Sequence, residues 1–562
     1  MRLSRDTKVR CAIAATSVLV LTATSMAACG LVEPVGQAER LVQHFTEALD
    51  HQDATAAASL TTYPNGAAAA LKQMFDGLKA DNVDYRISQF IRLDEQSGFF
   101  TLDVAWHLGR DRDWTYSVQG SVRQLAVGWR ISWDPSVVLP QLAAGRTVQL
   151  VRTDAAPPRV LDAYGRVLMT EQNLNAVKLD PAKMPDPAAT TAAVAKAIEP
   201  VAPLITAQSL MQDLVVAQGK PINAVLLRDG DFEILMPALR PIPGVVLEKQ
   251  PKLITADRRI GSPVLDGLRN VWQANRDATA GWAVRLFRPD GADPIQLAGF
   301  QGPPGPDVLS TLDFRLQLAA ADAVASVGTP AAIVAIQPSS GAVVAVAQNA
   351  QAGETGPLAL TGQYPAGSAL DLFRWIASMD KKIAPQDVSA DDAVRAAAAL
   401  GIGVDFKIAG LNETTGRVPG AGVGLEPAWA SAPNRNAIMV SPFGMAIAAS
   451  TLAKGSLPTP MIAYGQPGGT EAQVAPPRPD VLDRVRAAMR ETVDRPENVA
   501  LRAFPDVVGL TAAQGSTQWF LGNRGDLAFA VLVADADGGD AAVRVTARMM
   551  KSWATPLPDD RR

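Results

Sequence analysis

Apolar and polar positions change period along the first 135 residues. Ala38, Leu41, Val42, Phe45 and Leu49 recur at helical spacing, which predicts a helix over residues 35 to about 60. A second helical stretch runs from about residue 66 to 78. The pattern then alternates, and residues 83–87, 100–108, 114–125 and 129–133 read as strands. Helices followed by a run of antiparallel strands predict an α+β domain, a sheet curled over helices. Further on, residues 190–198 have helical and 224–227 strand character, which fits an extended α+β module. Gly302-Pro303-Pro304-Gly305-Pro306 is a linker. Beyond it a helix is expected over 318–327, then strands over 332–337 and 342–347 joined by Pro338-Ser339-Ser340-Gly341.

The first 28 residues form an export leader by pattern. Arg2, Arg5, Lys8 and Arg10 precede a mostly apolar stretch from Cys11 to Leu21, and small residues end at Met26-Ala27-Ala28-Cys29. An ordinary secretory signal is the competing reading. A membrane-spanning anchor would need about 20 apolar residues, more than the run supplies. Ala27-Ala28-Cys29 resembles the bacterial lipobox, which implies that Cys29 is diacylated and becomes the new N-terminus. Loss of the leader would remove four bases and one acid, so the acidic body would be held to a membrane by acyl chains rather than by charge.

With 562 residues, several domains are expected. The only cysteines are Cys11 and Cys29, so the body beyond the leader has no disulfide and depends on core burial. A net charge of −4 gives no basic face for nucleic acid. The three histidines, His44, His51 and His107, all lie in the first domain. Ser-His-Asp and Cys-His chemistry is therefore excluded further along, and a zinc site is not expected there. No cofactor is expected.

Ordered segments carry a family likeness. Gly128-Trp129-Arg130-Ile131-Ser132-Trp133-Asp134-Pro135 with Leu139-Pro140-Gln141-Leu142 resembles the close of the nuclear transport factor 2-like domain that precedes the catalytic region of methicillin-resistance-type penicillin-binding proteins. The run Arg159-Val160-Leu161-Asp162-Ala163-Tyr164-Gly165-Arg166-Val167-Leu168 resembles the opening of the non-catalytic module of class B penicillin-binding proteins, without the glycine usual after Arg159. Residues 310–317, the helix from Ser441-Pro442-Phe443-Gly444 to Lys454-Gly455, and the strands at 519–522 and 526–531 resemble a penicillin-binding transpeptidase domain. The likeness covers residues 35 to about 550 and is nearest to the penicillin-binding lipoproteins of actinobacteria. It implies a multidomain α+β protein: a leader (1–28), a nuclear transport factor 2-like cone (29–145), a dimerisation-type module (146–303), and a serine-transpeptidase or β-lactamase-like α/β/α domain (304–562).

That family needs Ser-x-x-Lys at a helix N-terminus, Ser-x-Asn, and Lys-Thr-Gly on a strand. Thr361-Gly362-Gln363-Tyr364-Pro365-Ala366-Gly367-Ser368 resembles the approach to the nucleophile, and the lysine position one turn on is Asp371. A carboxylate there still faces the serine but is a poor base at neutral pH, and it adds negative charge where an oxyanion would gather. Losing a positioned base costs about 10²–10⁴-fold. Ser378-Met379-Asp380-Lys381 also spells the motif, ten residues late, and reads as ordinary helix surface. No Ser-x-Asn occurs between residues 304 and 562. Leu510, Thr511 and Ala512 stand in place of Lys-Thr-Gly: Leu510 cannot pair with a carboxylate, and Ala512 adds a methyl where clearance is needed. Asn434-Arg435-Asn436 occupies the place where relatives carry Gly-Gln-Gly.

Three readings follow. The leading one is a catalytically inactive pseudo-transpeptidase in the cell envelope, with a binding, scaffolding or regulatory role in peptidoglycan synthesis. The resemblance implies a peptidoglycan stem peptide or cell-wall synthesis proteins as partners. The alternative is an active or weakly active D,D-transpeptidase acylated at Ser368 with an unconventional base. The third is a small-ligand or peptidoglycan binder acting through a pocket of the first domain that Trp106, Trp114, Trp129 and Trp133 would line, although the four read first as aromatic core.

Overall fold

The helix expected over residues 35–60 is two helices in the computed structural model, which describes residues 36–418 and 438–556. α1 (Gln37–Asp50) ends at His51, Gln52 takes a left-handed φ of 54°, and Asp53 starts α2 (Ala54–Ser59) by accepting the Thr55 and Ala56 N–H groups at 3.0 and 2.9 Å. α3 (Pro64–Leu78) follows, with its proline in the first turn. The leader, Cys29 and Asn434-Arg435-Asn436 lie outside the described residues.

Four strands then form an antiparallel sheet in chain order: β1 (Asn82–Arg92), β2 (Ser97–His107), β3 (Asp113–Leu125) and β4 (Gly128–Ile131). Along β2, Phe100, Leu102, Val104 and Trp106 are buried while the residues between them are not. They share a core with Val42, Phe45 and Leu49 of α1 and Leu71, Met74 and Leu78 of α3. Each such large apolar side chain contributes roughly 1.5–3 kcal/mol by leaving water. Trp106 donates its Nε1–H to the Tyr116 hydroxyl at 2.9 Å, and Tyr116 donates to the Val138 carbonyl at 2.7 Å. Trp106 and Trp114 are thus core residues, and Trp129 and Trp133 are half-buried.

Residue contacts divide the chain into two compact units: residues up to Val151 with Ala283–Gly299, and Arg152–Trp282 with Phe300 onward. The expected middle unit, 146–303, is split between them: 146–151 and 283–299 belong to the first, and the rest of it, together with the expected last unit, belongs to the second. Its first elements are β5 (Val160–Leu161), β6 (Val167–Leu179), α4 (Pro187–Ile198), α5 (Ala207–Val216), β7 (Ile222–Leu227), α6 (Asp229–Leu239), β8 (Val245–Thr255), α7 (Val264–Ala278) and β9 (Val308–Leu309). β6 pairs along most of its length with β8, from Met169↔Thr255 to Leu179↔Val245. On its other edge it pairs with β5 and β7, and β9 joins β5 in parallel. Leu268 and Trp272 of α7 belong to the same core cluster as Val334 and Val346 beyond the 302–306 linker.

Beyond these the main elements are α8 (Phe314–Val324), β10 (Ala331–Ile336), β11 (Val343–Gln348), α9 (Ala369–Lys381), α10 (Ala390–Ala399), α11 (Pro442–Lys454), α12 (Pro479–Val493), β12 (Val508–Gln514), β13 (Thr517–Arg524), β14 (Leu527–Val533) and α13 (Ala541–Ala554). The strands make an antiparallel sheet in the order β11-β10-β14-β13-β12. Every residue of β14 is buried, because helices cover both faces. Ile333, Ala335 and Val531 share a core with α8 and α13. Val334, Ile336 and Ala530 share one with α11, which is buried continuously from Pro442 to Leu452. This layering leaves β12 as an edge strand beside α9.

Candidate functional site

Gly367 turns the chain into α9 with φ +57°, and a Cβ there would lie 2.5 Å from the Ala513 carbonyl oxygen. Glycine therefore allows two backbones to meet at this point. Ser368 is the residue before the first turn of α9. Its N–H donates to the Ala513 carbonyl at 3.0 Å, and its Oγ accepts the Ala513 N–H at 2.9 Å. Ala513 uses the outer edge of β12 for both bonds, because residues of opposite parity bond to β13. Asp371 closes the first turn, its N–H donating to the Ser368 carbonyl at 3.1 Å, and its exposed carboxylate sits at the positive end of the helix.

A cleft of about 430 Å³ lies between α9, α12 and β12. Ser368, Asp371, Leu510, Thr511 and Ala512 all line it, so five positions read from motif context stand around one cavity. Leu510 lies opposite Leu521, and Ala512 opposite Trp519. Leu510 packs against the main core, and Ala512 is buried. Thr511 is exposed. The cleft also contains Leu372, Trp375, Ala488, Thr492 and Arg495, which motif reading missed. Their signal was spacing: 368, 371, 372 and 375 share one face of α9, and 488, 492 and 495 recur at helical intervals.

Acyl transfer at a serine needs a base within reach of the hydroxyl and donors aimed at the developing oxyanion. Here the Ser368 N–H is spent on the Ala513 carbonyl, and the Ala513 N–H rests on the serine oxygen itself. The walls supplied by Leu510, Ala512, Leu372 and Trp375 favour apolar groups, with Arg495 as the cation lining the cleft.

Ser378 is not on the helix surface as its sequence context implied. It is buried at the end of α9, and its hydroxyl donates to the Ile383 carbonyl at 2.6 Å, because the helix closes there with Lys382 at φ +58°. Lys381 turns away to Asp392, 2.5 Å distant, which also pairs with Arg395. Burial raises the Asp392 pKa, but hydrogen bonds from Lys381, Ser389 and Arg395 outweigh it and hold the carboxyl at about 2. A second titratable group was not legible at all. Burial first, then the charge of Asp405, pushes Glu413 up to about 8, with the Phe406 amide opposing. Glu413 is three residues before Gly416, whose strand neighbour Val440 pairs with Tyr364 on the approach to Ser368.

Among the described residues no three His, Cys, Asp or Glu side chains stand together as a metal site. No helix among them is long and apolar enough to cross a membrane.

Residues 37–146 match the family model of the NTF2-like N-terminal transpeptidase domain. The matched segment begins with α1 and takes in the whole β1–β4 sheet. It supports a protein of penicillin-binding-protein-like type, mixed in helix and sheet, with an NTF2-like domain at its N-terminal end. No curated protein matches the chain.

Proposed function

We propose that the chain is a cell-envelope penicillin-binding-protein homologue that does not catalyse transpeptidation and acts in peptidoglycan synthesis by binding, as a scaffold or regulator. The observation that carries this reading is the head of α9. Ser368 has an aspartate one turn on, at residue 371, and its N–H and Oγ are both engaged by Ala513. A base, a carboxylate anchor and an open oxyanion site are each needed, and members of such a unit fail together rather than additively. Leu510 supplies no cation for a substrate carboxylate.

The same reading places the protein at the outer face of the cell membrane, held by acyl groups on Cys29, with residues 146–303 as a dimerisation-type module and 304–562 as a transpeptidase-like domain. Incubation of the purified protein with a fluorescent penicillin, followed by intact-mass measurement, tests the catalytic part. No covalent adduct is expected. An adduct that disappears in Ser368→Ala would overturn the proposal in favour of an acylated enzyme. Metabolic labelling with a fatty acid, lost in Cys29→Ser, tests the anchor separately.

A further inference from the structure

The turn end of the β1–β4 sheet carries an apolar patch on its outer face. A bulge between Ile87 and Gln89 changes which residues of β1 face inward, so Phe90 lies opposite the buried Phe100 and Ile91 lies opposite Phe99 on the outside. Leu93 follows in the β1–β2 turn, Leu125 ends β3, and Val127 lies in the β3–β4 turn. All five (Ile91, Leu93, Phe99, Leu125 and Val127) are 40–70% exposed. Strand register gathers them at one end, since Ser97 lies opposite Arg123 and Leu125 opposite Gly128.

Cations stand among them. Arg123 and Arg130 are directly opposite each other across β3 and β4, a like-charge pair that repels. Arg92 pairs with Gly98 and so belongs to the other face of the sheet. Arg123 donates to the Ser132 hydroxyl and Arg130 to the Trp129 carbonyl, and among the described residues neither is in an ion pair. The acids nearby are Asp94, whose carboxylate takes the Gln96 N–H and the Ser97 hydroxyl, and the exposed Glu95.

We infer that this end of the first unit is a contact surface for an anionic lipid bilayer. The five apolar side chains enter the headgroup layer, and Arg123 and Arg130 bind lipid phosphates. Apolar side chains interleaved with arginines suit the boundary between water and acyl chains. A second copy is the weaker occupant. A two-fold contact on this face would bring the Arg123–Arg130 pair against its own image and add to the repulsion that lipid phosphates relieve. The surface belongs to the first compact unit and the Ser368 cleft to the second. The inference rests on the envelope reading only for the fact that a membrane is nearby.

The test uses the body of the protein from residue 30 onward, so that neither the basic, apolar leader nor acylation of Cys29 plays a part, sedimented with phosphatidylcholine vesicles that contain or lack phosphatidylglycerol. Binding is expected to require the anionic lipid and to weaken as salt is raised. Leu93→Asp with Phe99→Asp should abolish it, and Arg123→Gln or Arg130→Gln should weaken it roughly fivefold each. Unchanged thermal melting would show that these exposed substitutions leave the fold intact. Three results would overturn the inference: no binding to anionic vesicles, binding indifferent to Phe99→Asp, or competition by free inorganic phosphate at concentrations that leave the vesicles unaltered. A concentration-dependent dimer in sedimentation velocity, lost in Phe99→Asp, would replace the bilayer by a second copy. Failure here leaves the penicillin and fatty-acid labelling results untouched.

Discussion

Ser368 and Ala513 hold each other through two hydrogen bonds, one in each direction, across the gap between α9 and the edge of β12. The serine that would act as nucleophile is at the same time a fastener between a helix and a sheet. Its oxygen occupies the amide that an oxyanion would need, and its own amide is turned to a carbonyl. Binding of a carbonyl substrate at this point would have to break an existing interaction before gaining a new one.

Substitution at this junction should separate its structural from its chemical role. Gly367→Ala places a methyl 2.5 Å from the Ala513 oxygen at a φ of +57°, so it should lower stability by about 2 kcal/mol or more. Ser368→Ala removes only one hydrogen bond at a half-buried position and should cost about 1 kcal/mol. Denaturant unfolding followed by Trp fluorescence would measure both. A Gly367→Ala protein as stable as the parent would contradict the close approach.

Glu413 should make stability fall as pH rises. Its folded pKa, about 8, lies above the value of about 4.3 expected in the unfolded chain. Between those values the native state keeps a proton that the unfolded state has lost. The contribution is complete below the unfolded pKa and declines by at most about 1.4 kcal/mol per pH unit until it levels off above 8. Glu413→Gln should flatten that slope and stabilise the protein most at alkaline pH. Urea midpoints between pH 5 and 9 decide the matter, and parallel profiles for the two proteins would refute the assignment.

Much of the fold was legible because periodicity is a local signal. The alternation along β2 gave that strand from sequence, whereas α11, buried all round and so without an apolar stripe, was legible only through the family likeness. The break at residues 51–53 was also local, through the cap at Asp53, but the apolar spacing ran past it. The β6–β8 pairing was hidden because β6 has polar residues from Thr170 to Asn173 and a partner some 80 positions away. At the cleft, motif context located Ser368, Asp371 and residues 510–512, which lie within single short segments. Arg495 and Trp375 reach it only through packing of α12 against β12 and α9. The burial of Ser378 and Glu413 depends on distant chain, so their chemistry could not be read from neighbours in sequence.

Asp392 should respond to acid in the opposite sense to Glu413. Its carboxyl is held at about 2, below the unfolded value of about 3.9. Its stabilisation is therefore present above the unfolded pKa and is lost as pH falls through 2. Asp392→Asn should cost roughly 1 kcal/mol at neutral pH, a discounted figure because Lys381 and Arg395 are half or more exposed and screened by solvent. The deficit should close as the parent protein is acidified. A deficit unchanged between pH 7 and pH 3 would show that packing, not charge, is what Asp392 supplies.

In the first unit the buried chain from Trp106 through Tyr116 to Val138 makes a graded prediction. Tyr116 both accepts the indole N–H and donates to the Val138 carbonyl, while Tyr85 donates to that same carbonyl at 3.2 Å. Tyr116→Phe would leave the fully buried Trp106 Nε1 without an acceptor, a cost of about 1–3 kcal/mol. Tyr85→Phe would remove a longer bond whose acceptor keeps its other partner, so it should cost less, about 0.5–1 kcal/mol. Burial pushes both phenol pKa values above their ordinary value, so neither hydroxyl should titrate in the native protein below pH 10. Thermal melts of the two variants, with ultraviolet difference spectra of the parent taken through pH 10, would test the ranking. Equal losses from the two substitutions would show that the indole is satisfied by something other than Tyr116.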